Sequence, residues 1–67
     1  MPRKIRQLIA DLKAAGFTEI KGRGKGSHRK FIHRAYSGAV TVSGKLGDDA
    51  KPYQENQIQR ALDEVNP

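Results

Sequence analysis

The residues best suited to chemistry fall together at positions 22–34, GRGKGSHRKFIHR. This stretch holds three alternating glycines, five basic side chains, two histidines and no acid. An imidazole gains and loses a proton near neutral pH. Set among cations, His28 is placed to act on an anionic substrate. RNA fits best, because it carries its own nucleophile, the 2′-hydroxyl. Cleavage then needs a base for that proton, an acid for the leaving 5′-oxygen and cations for the charge on the phosphorane. Neighbouring cations favour the neutral form of an imidazole, which is the form that accepts a proton. His28 is therefore the candidate base, with Lys25, Arg29 and Lys30 as candidate phosphate ligands. Arg23 and Lys25 also charge a glycine turn whose open N–H groups suit a phosphate. No residue is singled out as the general acid.

Other chemistries fit less well. A dinucleotide fingerprint needs its glycines to open a helix after a strand. Here the glycine turn leads into a strand, which excludes that class. Cysteine is absent, so no disulfide or thiolate–metal site is available. The carboxylates cluster mainly after residue 47, and Asp48 and Asp49 are expected to favour the entry of the last helix through its dipole. Ser27 and His28 are adjacent, so their side chains diverge in a strand and do not form a triad. No metal and no cofactor are expected.

Charge separates the chain into parts. Residues 1–20 are net +2, residues 21–34 net +6 and residues 46–67 net −3, within a formal total of +6. A positive middle on a nearly balanced scaffold implies a polyanion-facing surface. A chain of 67 residues forms one thin-cored domain over 1–67, with room for an open site rather than a walled cavity. No apolar run approaches the roughly 20 residues of a membrane span. The basic N-terminus has no apolar h-region and reads as mature sequence. A cytoplasmic location is expected, with no membrane partner.

The elements that position these residues follow from periodicity. Ile5, Leu8, Ile9 and Leu12 make one buried helical stripe, with Pro2 in its first turn, Lys13 near its end and Gly16 as its left-handed cap. FTEIK, SHRKFIHR and AVTVS read as three strands, with Val40 and Val42 facing opposite to Thr41. YSG at 36–38 is expected to turn between the second and third strands. A last helix starts near Pro52 and buries Ile58, Ala61, Leu62 and Val65. The fold class is α+β in the order α-β-β-β-α, with two helices on one face of a three-stranded antiparallel sheet and the other face open. Strand parity sends Ser27, Arg29, Phe31 and His33 one way, and His28, Lys30, Ile32 and Arg34 the other. Phe31 is the largest apolar group, so its side should face the helices. That leaves His28 and Lys30 on the open face and makes His33 a half-buried, hydrogen-bonded residue. Tyr53, opening an amphipathic helix, is expected to pack.

The element order and the tracts LIADLKAAGF, KGSHRKFIH and VTVSG resemble the HicA toxins, the YcfA-like family, over nearly the whole chain. The resemblance implies a fold like a double-stranded-RNA-binding domain. It implies an endoribonuclease that cuts mRNA, an mRNA interferase, and is blocked when a HicB-like antitoxin covers its active site. The family's histidine falls on His28, with Gly26 and Ser27 as its immediate partners. The loop GKLGDDAKPYQ is longer and more acidic than the common family pattern. Two other readings compete. One is a non-catalytic RNA-binding module that grips phosphates and 2′-hydroxyls. The other is a protein whose basic face meets an acidic partner.

Overall fold

The computed structural model describes residues 3–20 and 28–65. In chain order the elements are α1 (Ile5–Ala14), β1 (Thr18–Ile20), β2 (Arg29–His33), β3 (Tyr36–Val42) and α2 (Pro52–Val65). The strands form one antiparallel sheet in the order β1-β2-β3. This is the α-β-β-β-α arrangement that the periodicity predicts.

Helix α1 buries Ile5, Leu8, Ile9 and Leu12, the expected stripe. It begins at Ile5, after an N-cap at Lys4, rather than around Pro2, which lies outside the described residues. Gly16 takes φ +101°. Its N–H donates to the Lys13 carbonyl, and the Phe17 N–H donates to the Leu12 carbonyl. That double bond pattern closes the helix and turns Phe17 back onto the core.

Both helices start on the same four-residue device, KIRQ at 4–7 and KPYQ at 51–54. Gln7 Oε1 accepts the Lys4 N–H at 2.8 Å, and Gln54 Oε1 accepts the Lys51 N–H at 2.8 Å. This is the return half of a capping box; lysine has no acceptor to supply the other half. The remaining free amides of α1 are met by the loop that follows β3. Ile5 N–H donates to the Asp48 carbonyl, and Arg6 N–H to that of Leu46. Asp49 pairs with Lys4 Nζ at 2.6 Å, and Asp48 accepts the Lys45 N–H at 3.1 Å. The two aspartates were expected at the entry of α2. The structure instead uses their loop to close the start of α1, because that helix end has orphan donors within reach of the loop's carbonyls.

The core joins both helix stripes to Phe17, Phe31, Val40, Val42 and Ala50. Ile58 and Ala61 are buried from α2, while Leu62 and Val65 pack at its margin. Both helices thus cover one sheet face. Residues Thr18, Lys30, Ile32, Ala39 and Thr41 line the other face and are exposed.

The β2–β3 turn differs from expectation. It consists of Arg34 and Ala35, and Tyr36, Ser37 and Gly38 belong to β3. The register passes from Ile32–Ala39 to His33–Tyr36, which leaves Ser37 and Gly38 as a bulge. Gly38 has φ +83° with open space around it. The turn-like YSG composition therefore reflects a bulge that needs a left-handed residue, not the hairpin tip.

Candidate functional site

Strand β2 separates the two histidines. Its burial alternates, with Phe31 buried and Lys30 and Ile32 exposed. Phe31 is locked in the core, so the other residues have no choice of face. His33 lies on the core side, half-buried against the hairpin. Its Nδ1 accepts the Ala35 N–H at 2.9 Å, and its ring sits 5.0 Å from the Phe17 ring. A methyl group at Gly16 would come within 3.1 Å of its Nε2. Its Nδ1 and its ring are thus committed to the turn and to Phe17. His28, by contrast, is exposed immediately before β2. By continuation of the Arg29–Val42 pair, it stands level with Ser43 at the far end of the sheet.

The candidate phosphate ligands divide. Lys30 is exposed on the open face, with no ion pair among the described residues. Arg29 points to the helix side, where its Nη1 meets Glu19 Oε2 at 3.3 Å. That pair is half-buried and ties β2 to β1. Arg23, Lys25, Gly26 and Ser27 lie outside the described residues. The described residues bring no three His, Cys, Asp or Glu side chains together as a metal site. None of their helices is long and apolar enough to cross a membrane.

The sheet end beside His28 is not flat. Ser43, Gly44, Asp48, Asp49, Lys51 and Tyr53 surround a shallow depression between the β3–α2 loop and the start of α2. Gln54, buried at its floor, donates through Nε2 to the Ser43 carbonyl at 2.8 Å. This bond fixes α2 to the end of β3. Tyr53 does not pack as expected, for it is 60% exposed at the rim.

A family model for the HicA toxin of bacterial toxin-antitoxin systems matches residues 5–63. The chain belongs to the HicA toxin family. The match runs from the start of α1 almost to the end of α2 and includes all three strands. No curated protein and no solved structure matches the chain. In this HicA-family chain, the resemblance seen in KGSHRKFIH and the exposure of His28 fall on the same position.

Sequence reasoning missed three features of this HicA chain. It did not see the Arg29–Glu19 pair, whose signal is two opposite charges on strands that parity sends to the same side. It did not see the KxxQ helix starts, although the repeat is present at 4–7 and 51–54. It assigned Tyr53 to packing, although the buried stripe of Ile58 and Ala61, extended back by one turn, falls on Gln54 rather than Tyr53.

Proposed function

We propose that this chain is the toxin of a toxin–antitoxin pair and acts as a metal-independent endoribonuclease on mRNA, with His28 as its catalytic base. The observation that carries the reading is the division of labour between the histidines. His33 is committed to the hairpin through Nδ1, whereas His28 is exposed where β2 emerges from the acid-free basic tract. Membership of a toxin family supplies the setting.

In this mechanism His28 accepts the 2′-hydroxyl proton. The 2′-oxygen forms a bond to phosphorus, the bond to the 5′-oxygen breaks, and that oxygen takes up a proton. The products are a 2′,3′-cyclic phosphate and a 5′-hydroxyl end. Lys30 and the cations Arg23 and Lys25 offset the charge on the phosphorane, with Gly26 and Ser27 shaping the approach to His28. Arg29 is the weaker candidate, because it would reach a phosphate only by leaving Glu19. A HicB-like antitoxin that covers the His28 end would block the reaction. The chain would act as a single domain in the cytoplasm.

The test compares an RNA oligonucleotide with its fully 2′-deoxy counterpart, both in EDTA. The expected result is cleavage of the RNA alone, with cyclic phosphate ends. Cleavage of both strands, or cleavage only after a divalent metal is restored, refutes the mechanism. Tight, salt-sensitive RNA binding that leaves the RNA intact selects the non-catalytic binding module instead.

A further inference from the structure

The exposed side of α2 carries a pattern that His28 chemistry does not use. Tyr53, Asn56, Gln57 and Arg60 recur at i, i+3, i+4 and i+7, so they share one stripe. With Tyr36 of β3 they line a second shallow groove, along the seam between β3 and α2. No carboxylate lines this groove, although Glu55, Asp63 and Glu64 lie elsewhere on the same helix. Arg60 has no ion-pair partner among the described residues.

The two aromatic rings differ in their support. Tyr36 is held edge-on against Phe17, with ring centroids 5.8 Å apart. Tyr53 stands 60% exposed, which is a poor arrangement for a ring that only fills space. Tyr53 also lines the depression at the Ser43 end, which carries Lys51 but also Asp48 and Asp49.

We propose that this groove between Tyr36 and Arg60 is a single-stranded RNA subsite. Aromatic faces stack on unpaired bases without regard to sequence, and a cation follows the backbone. The amides of Asn56 and Gln57 add donors and acceptors for base edges. A duplex offers no free base face to Tyr53, so the groove selects unpaired RNA. An acidic protein partner fits less well, because one cation among two tyrosines and two amides gives it little to pair with.

The proposal rests on RNA being the ligand of the His28 site, and its test separates the two claims. A fluorescent single-stranded RNA is titrated into His28→Ala protein, which prevents cleavage during the measurement. Adding Tyr53→Ala should weaken binding roughly tenfold, within the range of one lost base stack. Tyr53→Phe keeps the ring and should bind within about twofold of the parent. Arg60→Gln should weaken binding and lower the salt slope by about 1. Tyr53 is exposed, so melting curves should be unchanged. Unaltered affinity in Tyr53→Ala overturns the subsite, even if the wild-type chain cleaves RNA. Equal affinity for a duplex probe overturns it as well. Tyr53-dependent binding by a chain that never cleaves RNA supports the subsite and refutes catalysis.

Discussion

The contrast between His33 and His28 yields the sharpest structural prediction. Replacing His33 by alanine removes the acceptor of the Ala35 N–H and the ring that lies against Phe17. A net hydrogen bond contributes about 0.5–1.5 kcal/mol, and the low end applies because Ala35 is exposed and water can replace the acceptor. The tilted aromatic contact adds about 0.5–1.5 kcal/mol beyond the area that it buries. The expected loss is therefore about 1–2 kcal/mol. For a chain of this size, each kcal/mol lowers Tm by about 4–8 °C, so His33→Ala should melt roughly 10 °C below the parent. His28→Ala removes only exposed surface and should stay within about 0.5 kcal/mol of it. Thermal and urea unfolding by circular dichroism measure both. Equal destabilisation by the two variants, or a silent His33→Ala, would refute the division of roles.

Four further outcomes follow from the same packing. Gly16→Ala forces a side chain to φ +101° and toward His33 Nε2, and should cost about 1–2 kcal/mol. Gly38→Ala meets the same backbone penalty in open space and should cost less, so a larger loss there in urea unfolding would contradict the bulge geometry. Gln54→Leu keeps the volume but leaves the Lys51 N–H and the Ser43 carbonyl without partners; chemical unfolding should show a loss of about 1–3 kcal/mol. Phe31→Ala empties the centre of the core and should cost about 3–5 kcal/mol. That is a large share of the total stability of so small a domain, so circular dichroism should show a substantial unfolded population.

The parts of this fold that the sequence made legible are those governed by periodicity. Ile5, Leu8, Ile9 and Leu12 needed only a helical period, and Phe31, Val40 and Val42 only a period of two. The alternation along β2 also set Lys30 and Ile32 apart from Phe31 and His33, because a buried Phe31 fixes the side of each strand neighbour. Local composition was less informative where tertiary contacts choose the conformation. Arg34 and Ala35 carry no turn signal, and in their turn the Ala35 N–H is met by the His33 ring from the strand. YSG carries a strong signal, but the left-handed glycine serves a bulge. Asp48 and Asp49 suit the entry of the next helix, yet their loop folds back over a helix more than 40 residues earlier in the chain. Arg29 is cationic beside His28 in sequence and points to the other face in space, toward Glu19.

The most direct test of the central claim is the cleavage rate of one RNA, in EDTA, by the wild-type chain and by His28→Ala. General acid–base catalysis by one side chain contributes about 10²–10⁴-fold, so the variant should be slower by at least about 10² while remaining folded. Equal rates for the two proteins, or no cleavage by either, would contradict the assignment of His28.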